Sequence, residues 1–369
     1  MKTITENWAQ RMVDSVIARR PLLSKGIYQD KWSYDYGVVL KGTELVWRKT
    51  GDAKYFDYIK KNMDAFVSED GNIREYDIEA FNIDHINNGK VLLTLYKETG
   101  EQKYKKAIDL LRTQLQYHPR TAEGAFWHKK VYPYQIWLDG LYMGAPFYAE
   151  YVKEFGDEDE FDDIVKQFIL CVKNTKDEET GLLYHAFDEK RVQPWCHPET
   201  GHSENFWGRS MGWFAMALVD TIPLLPDGHQ GKQLLQGYLN DILKALMDVQ
   251  DKDTGVWYQV LNKGDRKGNY LEASASCMIL YAIAKGVRLG YLAREWQDVA
   301  KTVYRGILTE FITVTKDGYV NLNKVCQVAG LGGPDNRDGT FEYYISEPII
   351  TNDLKGVGAF ILAAAEIEN

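Results

Sequence analysis

One short turn motif recurs six times along the chain, and its spacing constrains the fold more than any other feature. In it an acidic or polar residue precedes Gly, and apolar or aromatic residues follow. The copies are Ser24-Lys-Gly-Ile-Tyr28, Glu69-Asp-Gly-Asn-Ile73, Ala122-Glu-Gly-Ala-Phe-Trp127, Glu179-Thr-Gly-Leu-Leu-Tyr184, Asp253-Thr-Gly-Val-Trp-Tyr258 and Lys316-Asp-Gly-Tyr-Val320. Their glycines, at 26, 71, 124, 181, 255 and 318, lie 45 to 74 residues apart. A period of that size marks one supersecondary unit used repeatedly.

Each turn is followed by a rim segment and then by a helix rich in small and apolar residues. These helices are expected to begin near Asp35, Asp84, Asp139, Glu204, Glu272 and Asp353. Ala273-Ser-Ala-Ser-Cys-Met-Ile-Leu-Tyr-Ala-Ile-Ala-Lys285 and Gly356-Val-Gly-Ala-Phe-Ile-Leu-Ala-Ala-Ala365 are apolar nearly all round, which requires burial. Between them lie amphipathic segments such as 55–66 and 104–112, whose charges repeat on one face as on a solvated outer helix. Thr50-Gly51 and Thr99-Gly100 are the clearest helix stops. Six outer and six inner helices in strict alternation predict an all-α fold, a closed (α/α)6 toroid formed by residues 1–369 as one domain. An open solenoid needs polar capping repeats, and the last helix here is among the most apolar.

Closing the ring gathers the inner-helix N-termini, with their acids, around one mouth. Capping alone explains acids at helix starts, but not the company these acids keep. Trp32, Tyr34 and Tyr36 flank Asp35. Trp127 and His128 precede Asp139, and Trp137 stands two residues before it. His185, Trp195 and His202 occupy the fourth rim segment, with Trp207, Arg209 and Trp213 following. An aromatic rim around carboxylates suits sugar rings whose hydroxyls bond the acids. Asp139, within Tyr132-Pro-Tyr-Gln-Ile-Trp-Leu-Asp-Gly-Leu-Tyr-Met-Gly144, is set among apolar neighbours. Poor solvation favours the neutral form of such a carboxyl and prepares a general acid. Arg209 wants a carboxylate, either a protein acid or a ligand's. Arg209, Lys129, His128 and His185 are the local cations available to an anionic ligand, because the net charge of −9 gives it no long-range attraction.

Other chemistries fit less well. Gly208-Arg-Ser-Met-Gly212 matches a hydrolase elbow but lacks the strand that must precede it. Cys196-His197 with His202 has no zinc spacing, the 330–339 loop lacks the Gly-Lys-Ser/Thr of a phosphate loop, and Asp335-Asn-Arg-Asp-Gly339 lacks calcium-loop spacing. The sequence thus predicts no metal and no cofactor. It has no basic block for nucleic acid and no apolar run for a signal peptide or membrane span, so no nucleic-acid or membrane partner is expected. Four scattered cysteines fit reduced thiols, and cytoplasmic residence is the expectation.

With the rim laid out, the chain resembles the unsaturated rhamnogalacturonyl hydrolases of glycoside hydrolase family 105, relatives of the unsaturated glucuronyl hydrolases. The resemblance is carried by Trp32-Ser-Tyr-Asp-Tyr-Gly37, Ile83-Asp84, Gly124-Ala-Phe-Trp-His-Lys129, the 132–144 segment, Gly181-Leu-Leu-Tyr-His-Ala186, Phe206-Trp-Gly-Arg-Ser-Met-Gly-Trp213 and Thr351-Asn-Asp-Leu-Lys-Gly356. It implies an oligosaccharide substrate whose non-reducing uronic acid carries a C4=C5 double bond, with hydration of that vinyl ether as the reaction. It implies Asp139 as the acid that protonates C4 and then assists water attack at C5, and Asp84 as the second essential acid. Trp32, Tyr34, His128, Trp137, His185, Trp207, Arg209 and Trp213 then line the substrate pocket. His85-Ile-Asn-Asn88 departs from the family pattern.

Overall fold

The computed structural model describes residues 6–25 and 30–368. Thirteen α-helices are found among them: α1 Trp8–Arg19, α2 Tyr34–Thr50, α3 Ala53–Asp64, α4 Gly89–Thr99, α5 Gln102–Tyr117, α6 Leu138–Phe155, α7 Glu160–Thr175, α8 Gly208–Thr221, α9 Gln230–Asp248, α10 Ala273–Arg288, α11 Trp296–Glu310, α12 Phe341–Ser346 and α13 Leu354–Ile367. Helices α2, α4, α6, α8, α10 and α13 each pack against the next, and α13 packs back on α2, so the inner ring closes. The other long helices surround it. The Glu368 carboxylate accepts from the backbone N–H of Trp8 at 2.9 Å and locks the end of the chain onto its first outer helix. The toroid expected from the repeats is the fold observed. No helix among the described residues is long and apolar enough to cross a membrane.

Burial follows the sequence pattern. In α13 every residue from Leu354 to Glu366 is buried, as a helix without a polar face requires. In α3 only Tyr55, Tyr58, Ile59, Asn62 and Met63 are buried, one stripe of an amphipathic outer helix. Inner helices approach closely where glycine removes a side chain. A Cβ on Gly358 would lie 2.8 Å from the Val38 backbone of α2.

The recurring turns connect outer to inner helices as short hairpins. Gly71, Gly124, Gly181, Gly255 and Gly318 all have positive φ, between 72° and 104°, which explains the residue type at each tip. In the first copy, residues 26–28, with Gly26 and Tyr28, lie outside the described residues.

The expected acid at every inner-helix start is found at four of six. Asp35 and Asp139 sit in the first turns of α2 and α6, while Glu272 and Asp353 are N-caps accepting from Ala275 and Lys355. Asp84 instead lies in a separate 3-10 turn, Ile83–Ile86, and α4 begins later at Gly89. Glu204 precedes α8 by four residues, exposed and 3.5 Å from Lys263. The N-cap of α8 is Trp207, whose side chain makes no capping bond. The elbow-like Gly208–Gly212 is helical, with the Ser210 hydroxyl donating to the Trp207 carbonyl at 2.9 Å.

Candidate active site

Short rim ladders bring the chemistry together. Strand β1, Gln135–Trp137, pairs antiparallel with β2, Ala186–Asp188, placing Trp137 opposite Ala186. The Leu138 N–H donates to the His185 carbonyl at 3.1 Å and extends the ladder by one step. Asp139 follows β1 and His185 precedes β2, so the register sets the two side chains side by side. On the other flank, the His128 N–H donates to the Gln135 carbonyl at 2.9 Å, and the Ile83 N–H donates to the His128 carbonyl at 3.2 Å. The His128 backbone therefore couples the turn carrying Asp84 to the strand feeding Asp139.

The two acids meet different surroundings. Lys129 Nζ lies 2.7 Å from Asp84 Oδ2, and His128 Nε2 lies 3.7 Å from Asp84 Oδ1. Burial is the largest single influence and disfavours the Asp84 carboxylate, but Lys129 together with His128 and His85 outweighs it and holds this carboxyl below its usual range. Burial pushes His128 down to about 4, so it is neutral near neutral pH. For Asp139, the sole ion-pairing neighbour within 4 Å among the described residues is His185, with Nε2 at 3.3 Å from Oδ2. One acid is thus paired with an ammonium and the other with an imidazole.

The expected pocket residues cluster around these acids, mostly as buried walls. Trp137, His128 and Tyr132 have nearly parallel rings, with Trp137 centred 4.5 Å from His128 and 5.1 Å from Tyr132. Trp207 lies 4.7 Å from the His185 ring, and its indole N–H donates to Gln259 Oε1 at 3.1 Å. Trp213 stacks on Tyr142 at 4.7 Å and meets Tyr34 edge-on at 6.3 Å. Trp32 packs edge-on against Phe66 and donates to the His85 carbonyl at 2.9 Å. Trp32, Trp137, Trp207 and Trp213 are each no more than 5% exposed. Each of these rings packs against other aromatic side chains and leaves little of its face open to solvent.

Arg209 resolves the two partners left open by its sequence context. It is buried, its Nε donates to Ser274 Oγ at 2.8 Å and one Nη to the Cys326 carbonyl, and Glu272 lies 3.6 Å away. A protein acid therefore already faces its charge. Its other Nη has no hydrogen-bond partner among the described residues. The departing segment His85–Asn88 proves to be a brace. Asn88 accepts from the Gly37 N–H and donates to the Ser33 carbonyl, Asn87 donates to the Tyr34 carbonyl, and the His85 carbonyl holds Trp32.

Sequence reasoning missed Tyr344. The long 330–339 loop is pinned over the rim by Arg337, which donates to Tyr132 Oη at 2.8 Å and to the Gly332 carbonyl. It leads into α12, whose Tyr344 places its hydroxyl 2.7 Å from His185 Nδ1. With 24 tyrosines in the chain, composition could not single this one out. The available signal was a long loop on the mouth side followed at once by an aromatic helix.

Comparisons with known proteins identify the family and the shared fold. The sequence matches Glycosyl Hydrolase Family 88 over residues 8–369. A solved family 105 glycoside hydrolase from C. acetobutylicum is 57% identical, with a TM-score of 0.96 over 98% of this chain and 99% of that one. The unsaturated rhamnogalacturonyl hydrolase YesR of Bacillus subtilis is 29% identical over 85% of this chain and 84% of its own length. At 15% identity, an unsaturated glucuronyl hydrolase from Streptococcus agalactiae shares the fold, with a TM-score of 0.71 over 99% of this chain and 91% of that one.

Proposed function

The chain belongs to glycosyl hydrolase family 88, and from that premise we propose that this glycoside hydrolase removes a 4,5-unsaturated uronic acid from the non-reducing end of oligosaccharides left by polysaccharide lyases. The aglycone we assign is rhamnose, as in an unsaturated galacturonyl-rhamnose unit. The resemblance to YesR supports that choice. The catalytic domain in this reading is the whole of residues 1–369, and its residence is cytoplasmic. Four free thiols among the described residues support the location.

The observation that carries the mechanism is the unequal pairing of the two acids. Asp84, held ionised by Lys129, is a poor proton donor near neutral pH. Asp139 has no ammonium against it, and we assign it as the general acid. It protonates C4, and the ring oxygen shares the positive charge that develops at C5. Asp139, now a carboxylate, takes a proton from the water that attacks C5. The resulting C5 hemiketal opens to a ketone and leaves a C1 hemiacetal, which expels the aglycone. Asp84 and Lys129 hold hydroxyls of the sugar or the attacking water. Arg209 presents its unpartnered nitrogen to the uronate. Trp32, Tyr34, His128, Trp137, His185, Trp207 and Trp213 shape the pocket, with Trp32 acting through the brace at His85.

A substrate panel tests the reading. Ultraviolet absorbance of the conjugated double bond should fall as rhamnose appears from the unsaturated disaccharide. The saturated galacturonyl counterpart has no alkene to protonate and should be inert. Rapid cleavage of the saturated compound with the unsaturated one untouched would point to an ordinary two-carboxylate glycosidase instead.

A further inference from the structure

We propose that Tyr344 is a positioning residue, which through His185 fixes which oxygen of Asp139 meets the substrate. This rests on the assignment of Asp139 as the acid. The three side chains form a chain inside the rim: the Tyr344 hydroxyl lies 2.7 Å from His185 Nδ1, and His185 Nε2 lies 3.3 Å from Asp139 Oδ2. Tyr344 and His185 are both fully buried. Neither His185 Nε2 nor Asp139 Oδ2 has a hydrogen-bond partner among the described residues, so each is the nearest available complement of the other. Contacts of this kind are often long or misaligned before substrate binds and tighten in the complex.

The proton order follows from the chemistry of the three groups. A carboxylate only accepts, so His185 Nε2 must carry a proton to bond Asp139 Oδ2. The neutral imidazole then has a bare Nδ1, which accepts from the Tyr344 hydroxyl. Burial raises the phenol well above its ordinary pKa, so the hydroxyl stays protonated and able to donate. With Asp139 ionised, the opposite tautomer would turn two lone pairs toward each other at Nε2 and Oδ2. When Asp139 takes a proton on Oδ1, Oδ2 still accepts, and the order Tyr344 to His185 to Asp139 is unchanged. Oδ1 is therefore the oxygen that delivers the proton to substrate and receives one from water. The Tyr344 hydroxyl supplies the only hydrogen bond found for the imidazole side chain among the described residues. Trp207 packs against both rings and leaves the hydroxyl in place to fix the imidazole's rotation.

Two measurements test this. Tyr344→Phe keeps the ring and removes the hydroxyl, freeing His185 to swing. Because misplacement of a reacting group by about 1 Å costs on the order of 10²-fold, kcat should fall by roughly 10-fold to 10²-fold. KM should be little changed and the near-ultraviolet circular dichroism retained. Nitrogen-15 NMR of the wild type, with His185→Gln to assign the signal, should show His185 protonated at Nε2 with Nδ1 as a hydrogen-bonded acceptor. In Tyr344→Phe the Nδ1 resonance should move to that of an acceptor lacking a donor. A folded Tyr344→Phe enzyme with wild-type kcat, a fall in rate accompanied by loss of the folded spectrum, or a wild-type His185 protonated at Nδ1, overturns the inference. The NMR measurement needs no substrate. Failure of the wild type to turn over unsaturated oligosaccharides would instead overturn the proposed function and leave the proton order to be decided by NMR.

Discussion

Asp139→Asn is expected to leave the toroid folded and to lower turnover of the unsaturated substrate by at least about 10²–10⁴-fold, the usual contribution of general acid catalysis. Asparagine matches aspartate in shape, so the first turn of α6 and the contact to His185 Nε2 can persist. What is lost is the proton for C4 and the base for water. Asp84 cannot substitute, because Lys129 at 2.7 Å keeps it ionised and the Ile83–Ile86 turn holds it on the opposite flank of His128. Steady-state kinetics with a circular dichroism control checks this. A folded Asp139→Asn protein of near-wild-type activity would contradict the assignment of the acid.

The second large effect is expected on stability, at Arg209. Removing its charge as Arg209→Met leaves Glu272 buried without its cationic partner. Breaking a buried pair from one side costs about 3–5 kcal/mol. The Cys326 carbonyl and Ser274 hydroxyl also lose a donor inside the protein. Denaturant unfolding should show this loss directly. Arg209→Lys keeps the charge but not the planar fork, so it should fold better than Arg209→Met. It should still bind substrate more weakly than the wild type, through a raised KM. If Arg209→Lys restores both stability and KM fully, Arg209 serves Glu272 alone and the uronate is held elsewhere. If Arg209→Met is as stable as the wild type, the buried pair carries no net stabilisation.

How far the sequence reached depended on whether a feature was local. Turn glycines need positive φ whatever surrounds them, and apolar helices must be buried, so the hairpins and the inner ring were legible from residues close in sequence. The place of Asp139 in the first turn of an inner helix was legible for the same reason, since the apolar run that marks α6 is local in the chain. Asp84 was harder to place. A 3-10 turn and a helix start share the Asn-x-Asp pattern, and only the tertiary bonds of Asn87 and Asn88 to the first rim segment show why α4 starts late. Arg209 with Glu272, and His185 with Tyr344, pair residues distant in sequence, which no local periodicity encodes. The near-complete burial of the four pocket tryptophans could not be read from the sequence, because counting aromatic rings does not show which distant side chains each packs on.

The central claim, that an alkene is protonated at C4 and hydrated at C5, is tested most directly by turnover in heavy water followed by NMR of the uronic acid product. The mechanism places one solvent deuterium at C4, delivered by Asp139 and therefore on a single face. Direct cleavage at the anomeric carbon makes no new bond to C4. Stoichiometric, single-face deuterium at C4 is the result predicted here; release of the aglycone with no label at C4 would contradict it.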